Sequence, residues 1–380
     1  RIGAPLMVAY LAELAMFLIT RAVVGDLGYE ALAAVGLAGD LTFELLVVAM
    51  GSLSVVGVIV AQSLGGGDRL AVGHAARQGL LVATVIGAVC TCIVWCLPWL
   101  LPYLGQEPIV VELAAPYLRA VSACVLPTVW FTVLRMYVTA IGRTSGVMVI
   151  AVATVGLQYL LTVALVHGQF GFPALGIAGA GWSTTICAWV MLSALTFHAW
   201  RDAEFRGFGL FRSQLRFHYG VCADILRLGI PAGMLVVLES GLFAAVSVLS
   251  GVIGAKALAA HQIVLSWVSI PFVIALGLGE GAMVRVALGI GRGDPAAARG
   301  SGLTCIVLAV AILAALIYIP IAHGTFIIQV FLDPDQVGAR DVTALSLHLL
   351  VIVALFQVFD GMQAVAARSL RGLRDTTVPL

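Results

Sequence analysis

Long uninterrupted runs of apolar residues constrain this chain more than any other feature. A helix needs about 20 apolar residues to cross the hydrocarbon of a bilayer. Ten runs answer to that rule: roughly Ile2–Val24, Ala31–Leu64, Leu80–Leu104, Ile109–Ile141, Val147–Val166, Leu175–Trp200, Ile225–Ile253, Ala257–Ile290, Gly302–His323 and Val342–Leu370. Several exceed a perpendicular crossing, which predicts tilt or extension beyond the membrane. Composition agrees, since 62% of the 380 residues are hydrophobic and only 10% are charged. A soluble domain carries about 25% charged residues. The expected class is an all-α polytopic membrane protein, with lipid as its solvent. The net charge of +1 is spread over short loop clusters, so nucleic acid is not an expected partner.

Alternate loops differ in charge. One side receives Arg69, Arg77, Arg143, Arg201, Arg206, Arg212, Arg216, Arg292, Arg299, Arg371 and Arg374. The other holds Asp26, Glu30, Glu107, Glu112, Lys256, Asp333, Asp335, Arg340 and Asp341. Arginine-rich loops stay in the cytoplasm, so both ends of this chain are expected there.

The chain also repeats itself. Shifted by 226 positions, Arg1-Ile2-Gly3-Ala4-Pro5 falls on Arg227-Leu228-Gly229-Ile230-Pro231. Glu13 meets Glu239, Gly51 meets Gly277, and Gly65-Gly66-Gly67-Asp68 meets Gly291-Arg292-Gly293-Asp294. Chance register in apolar sequence supplies Ala and Leu matches, but not Pro, Glu, Gly and Asp together. Six helices precede the second copy, so both copies enter the membrane in the same direction. That predicts two six-helix bundles related by a pseudo-two-fold axis along the membrane normal, with a cleft between them. The expected divisions are a first bundle at 1–200, a linker at 201–222 and a second bundle at 223–380. Only four helices of the second bundle fit before Leu380, so its last two are expected to lie beyond this sequence.

Ionisable groups inside a membrane cost several kcal/mol unless paired or hydrated, and each is a functional candidate. They are Glu13, Arg21, Asp40, Glu44, Arg119, Arg135, Glu239, Glu280 and Asp360. Acids outnumber bases, which suits a cavity that receives cations. A desolvated carboxyl can hold a proton near neutral pH and surrender it to an arriving cation. Glu239 and Asp360, both mid-helix, are the expected coupling-cation site, and a metal site only if that cation is Na⁺. Glu13 mirrors Glu239 and is either a second such group or an acid paired to a neighbouring helix. Asp40 and Glu44 are four apart on one helix face. They form a second polar site or pair with Arg135. Arg135 is expected to neutralise an acid, and Glu280 to be the structural partner of a nearby Arg. His261 reads as a core residue, and Gln262 as a lining of the cation path.

Other chemistries find no support. The sequence holds no GxxxxGK[ST] phosphate loop, no HExxH and no GxSxG, and its seven cysteines read as packing residues. Neither an enzyme nor a cofactor is expected, and the energy must come from an ion gradient or from the substrate's own gradient.

Several segments carry a resemblance. "LGIPAGMLVVLESGLF", "GAKALAAHQI", "GLGEGAMVRVALGIGRGD", "FQVFDGMQAVAARSLRGLRDTTVP", "GYEALAAVGLA" and "AQSLGGGD" resemble the multidrug and toxin extrusion (MATE) transporters, in their NorM-like branch. The resemblance implies twelve helices in two bundles and export of organic cations in exchange for Na⁺ or H⁺. It implies a bacterial inner-membrane protein that works as a monomer. It also implies that Glu239 and Asp360 hold the coupling cation. The sequence departs from the family at three places: the branch's helix-1 Asp falls on Thr20, another Asp on Thr139, and a Pro on Gly146. Thr20 therefore joins Glu13, Asp40, Glu44 and Gln262 as an expected lining residue of the cavity. A lipid-linked oligosaccharide flippase of the same superfamily is the alternative, expected to carry a more cationic cavity.

Overall fold

In a computed structural model of the chain, residues 3–25, 27, 29–104, 108–210, 218–253, 255–329 and 339–375 are described. Some side chains inside helices, those of Glu239 and Gln262 among them, lie outside the described residues. The first half comprises α1 (Gly3–Gly25), α2 (Tyr29–Leu53), α3 (Val55–Gly65), α4 (Arg69–Leu100), α5 (Pro108–Ala140), α6 (Ser145–His167) and α7 (Ile177–Arg201). A short α8 (Ala203–Gly207) follows. The second half comprises α9 (Tyr219–Ile253), α10 (Ala255–Gly291), α11 (Pro295–Leu316), α12 (Tyr318–Gln329) and α13 (Ala339–Gly372). Ten stretches are long and apolar enough to cross a membrane, as the apolar runs predict.

Two expected spans are subdivided. The second run is α2 followed by α3, with a break at Ser54, whose hydroxyl donates to the Gly51 carbonyl at 2.7 Å. Ser52 bonds back to Val48 at 3.0 Å, and such back-bonding from Ser bends helices. The ninth run begins earlier than expected, at Pro295, and divides into α11 and α12. Within α12, His323 leaves helical geometry at φ −126°. The expected linker also holds structure, since it contains α8 and the start of α9.

The repeated Gly-rich segments fold alike. Gly67 and Gly293 take positive φ, +80° and +71°, where a side chain would be strained. The aspartate after each then caps the next helix. Asp68 accepts from the amides of Leu70 and Ala71, and Asp294 accepts from that of Ala297.

Glycine also sets where the halves meet. The halves touch through α1 against α10, α2 against α9, and α3 against α10. A Cβ on Gly3 would sit 3.3 Å from the Gly277 carbonyl oxygen. One on Gly229 would sit 3.2 Å from the Ser52 carbonyl carbon. Gly229 is the repeat mate of Gly3, and Gly51, beside Ser52, is the mate of Gly277, so one contact is the symmetry copy of the other. A Cβ on Gly65 would lie 2.9 Å from Cα of Gly291, its own mate. Small residues let membrane helices approach this closely. The Gly65–Gly291 contact lies at the Arg-rich ends of α3 and α10, so the halves are held together there.

Candidate functional site

Above this seam lies a cavity of about 400 Å³. Its walls are mainly apolar side chains of α1, α2, α5 and α7, with Val236 of α9 and Val273 and Leu276 of α10 opposite. Its polar content comes in three groups.

The first is a buried ion pair. Arg135 of α5 is 1% exposed and donates from Nη1 to Oε1 of Glu13 on α1, at 2.8 Å. Its guanidinium lies 4.7 Å from the centre of the Tyr10 ring and 5.8 Å from that of Phe131. A desolvated guanidinium gains from aromatic faces as well as from its counter-ion. Arg135 thus neutralises an acid, as expected, and that acid is Glu13. Asp40 does not pair with Arg135. It pairs with Arg21, whose guanidinium stacks 4.2 Å from the centre of Phe17. Asp40 is 62% exposed, and Glu44 on the same helix is exposed too. Neither is among the cavity-lining residues, though Arg21 is.

The second group is uncharged. Nε2 of Gln158 on α6 lies 2.9 Å from Oγ1 of Thr20, 3.2 Å from Thr162, 3.3 Å from Ser183 and 3.4 Å from Thr184. Thr162 and Ser183 are joined at 2.9 Å. Thr20 is among the residues that line this cavity, at the rim of a hydroxyl–amide cluster spanning α1, α6 and α7. Sequence reading missed Gln158. Its signal was a glutamine inside an otherwise apolar run, with Ser183-Thr184-Thr185 in the next one.

The third group lies on the floor and belongs to the second half: Glu280 of α10 with Arg368 and Arg371 of α13. Arg371 was placed in a loop by sequence. It is instead in the last turn of α13, 5% exposed, donating to Ser54 Oγ at 2.8 Å across the seam. Beside it, Gln62 of α3 donates to the Gly372 carbonyl at 3.1 Å. Glu280 has the expected arginine neighbour, with Oε1 3.8 Å from Arg368 Nε.

The excess of acids does not carry into the cavity. Among the described lining residues, Glu13 and Glu280 face Arg21, Arg135, Arg368 and Arg371. The linear count misleads because Asp40 and Glu44 point elsewhere and α13 runs far enough to bring two arginines inward. Asp360 is buried, 8% exposed, and is not among the lining residues. The neighbouring Gly361 packs on Leu313 of α11 and Ala275 of α10. Glu239 and Gln262 have side chains outside the described residues, so their expected roles find no geometry here. His261 is half-buried. At Gly146, where the resemblance implies Pro, a Cβ would come 2.5 Å from Nε2 of the His198 ring, so here the ring occupies that space. Thr139 is 1% exposed.

Known proteins share both sequence and fold. Residues 5–164 and 231–380 match the MatE family. A protein of Rhizobium meliloti (strain 1021) named "Probable multidrug resistance protein NorM" is 34% identical over 382 residues, covering 100% of this chain and 81% of that protein. "Multidrug resistance protein NorM" of Burkholderia vietnamiensis is 33% identical over 383 residues, with 100% and 82% covered. The fold matches the eukaryotic MATE transporter AtDTX14 at TM-score 0.87 and 18% identity, over 98% of this chain and 81% of that one. It also matches the outward-facing conformation of a multidrug resistance MATE family transporter at TM-score 0.87, over 100% and 83%. Two repeated bundles, a seam of mated glycines and a charged cavity inside the membrane fit these likenesses, and the chain is a member of the MatE family of membrane transporters.

Proposed function

We propose that this protein is a multidrug exporter that moves organic cations out of a bacterial cell across the inner membrane, in exchange for Na⁺ or H⁺. The observation that carries the reading is the cavity of about 400 Å³ between two repeated bundles, apolar on its walls and charged at its floor. Apolar walls accept varied lipophilic molecules, while a few placed polar groups orient them. The halves are held together toward the Arg-rich end, which the positive-inside rule puts in the cytoplasm.

Coupling requires that ion and substrate prefer different arrangements of the halves. Glu239 and Asp360 remain our proposed holders of the coupling ion. Glu13, paired with Arg135, and Thr20, in the Gln158 cluster, shape the substrate space. Lipid bilayer and small-molecule substrates are the partners, and a monomer suffices, since both halves of the cavity belong to one chain.

Four lining arginines against two glutamates favour a second reading, a flippase for an anionic lipid-linked substrate. Three of those arginines already face an acid, Arg21 with Asp40, Arg135 with Glu13 and Arg368 with Glu280, so we keep the exporter first. Dye efflux from cells expressing the full-length protein tests it, with Glu239→Gln and Asp360→Asn alongside. Efflux from wild type, driven in proteoliposomes by a sodium or a pH gradient and lost in both variants, is the expected result. Efflux indifferent to both gradients and both substitutions sinks the coupling.

A further inference from the structure

The halves differ at a groove outside the central cavity. It measures about 240 Å³ and lies between α2, α4 and α9. Its lining includes Val48 and Ser52 of α2, Ile86 and Cys90 of α4, and Leu226 and Ile230 of α9. The register of 226 carries through it, since α4 and α11 start at mated residues, Arg69 and Pro295. The mates of Val48, Ser52 and Ile86 are therefore Ile274, Leu278 and Ile312. In the second half these three share one apolar cluster, and Met7 of α1 packs into it. The mate of Met7 is Gly233, just as Ser52 stands where the second half has Leu278. The Ser52 hydroxyl occupies the place that a Cβ on Gly233 would take. Two large apolar side chains of one face are thus a hydroxymethyl and a hydrogen on the other, and the groove is the room they leave.

We propose that this groove binds one acyl chain of a phospholipid from the leaflet on the Arg-rich side. Its residues lie within three membrane-spanning stretches, so lipid and not water is the solvent at its mouth. Leu226 and Ile230 are exposed, which opens the groove to that lipid. Leu226 also stands one residue into the apolar run Ile225–Ile253, next to its Arg-rich end, which sets the leaflet. The interior offers no hydroxyl or amide donor to a polar guest. Ser52 spends its hydroxyl on the Val48 carbonyl at 3.0 Å, and the thiol of Cys90 behaves as a small apolar group. A long unbranched chain can follow the groove and restore the dispersion contacts that a void forfeits. Because α2 and α9 belong to different halves, a chain seated here touches both. Gly229, which also lines the groove, lets the Ser52 backbone come close. The guest therefore favours the arrangement of the halves that forms the groove. Such a seat is independent of which substrate the central cavity takes.

Photolabelling of the full chain reads this directly. The protein is reconstituted in vesicles of phosphatidylethanolamine and phosphatidylglycerol, with a mid-chain diazirine on a small share of the phosphatidylethanolamine. Illumination and peptide mapping are expected to label α4 around Ile86 several-fold more than α11 around Ile312. Ser52→Leu, which supplies the second half's side chain, is expected to bring the two to parity. Cys90→Phe fills the groove from α4 and keeps the test valid should Ser52→Leu fold poorly. Equal labelling of the two faces in wild type overturns the proposal, as does labelling around Ile86 that is indifferent to both substitutions. Loss of the label on adding a lipophilic dye cation also overturns it, by making the groove a substrate site. No gradient or transport enters the measurement. A label that persists while dye efflux fails upholds the acyl seat and counts against the exporter alone.

Discussion

The two acid–arginine pairs at the cavity floor, one from each half, are made differently. In the first half Glu13 and Arg135 close to 2.8 Å, and the guanidinium is packed against Tyr10 and Phe131. In the second half Glu280 and Arg368 stop at 3.8 Å, beyond hydrogen-bond length; in both pairs the arginine Nε is buried without a hydrogen-bond partner among the described residues. A hydrogen-bonded pair holds helices together, and removing one partner strands a buried charge. The two pairs are not repeat copies of one another, for the mate of Glu13 is Glu239 and that of Glu280 is Ser54.

The contrast is broken most forcefully from the first half. Glu13→Ala leaves Arg135 buried and unpaired and is expected to cost about 3–5 kcal/mol. Thermal unfolding of the purified protein measures it. Glu280→Gln, by contrast, is expected to cost under about 1 kcal/mol, since the pair it disrupts makes no hydrogen bond. Equal losses at the two positions would erase the distinction.

Next in size is the seam on which both pairs stand. Gly291→Val drives a side chain into the Gln62 backbone, whose carbonyl carbon would lie 2.8 Å from the new Cβ. Overpacking of this kind costs about 1–3 kcal/mol. Spin labels at Arg69 and Arg292 should therefore move apart. Gly300→Ala, with nothing near its Cβ, serves as the control and should leave the distance unchanged.

Smaller effects come from the repeated caps. Asp68→Ala and Asp294→Ala each remove a helix N-cap worth about 1 kcal/mol. Asp68 should matter more, because it accepts from two amides where Asp294 accepts from one. Faster hydrogen exchange at the starts of α4 and α11 reports the loss, and equal rates would deny the difference. Asp40→Asn is expected to be smallest, under about 1 kcal/mol, because Asp40 is 62% exposed and its pairing with Arg21 is screened by water. A larger drop in melting temperature would show that Asp40 belongs with the buried pairs.

The sequence made the membrane class, the ten spans and the duplication readable, because each rests on local length or on register. Glu13 and Arg135 were both singled out, but not as partners, since 122 positions separate them and only packing joins them. Arg371 was misplaced because a cation near a loop looks solvated until its helix is seen to carry it into the core. Gln158 went unread because one amide in an apolar run has no periodicity. Its meaning comes from Thr20, 138 positions away. Glu280 drew the right partner, Arg368, though a linear reading cannot say that the pair stops at 3.8 Å.

Gly65 and Gly291, each the other's repeat mate, lie against one another across the seam. A residue can meet its own copy only on a two-fold axis, which is where identical subunits of a dimer meet. The Arg-rich seam is thus the surface that two separate, identical half-length chains would share, now tied together by the segment between α7 and α9. Evolution of such a chain is free to change the walls on either side of the axis, as it has with Glu280, whose repeat mate is Ser54. It is not free to change the glycines on the axis, where one substitution must be tolerated by a partner that was once itself.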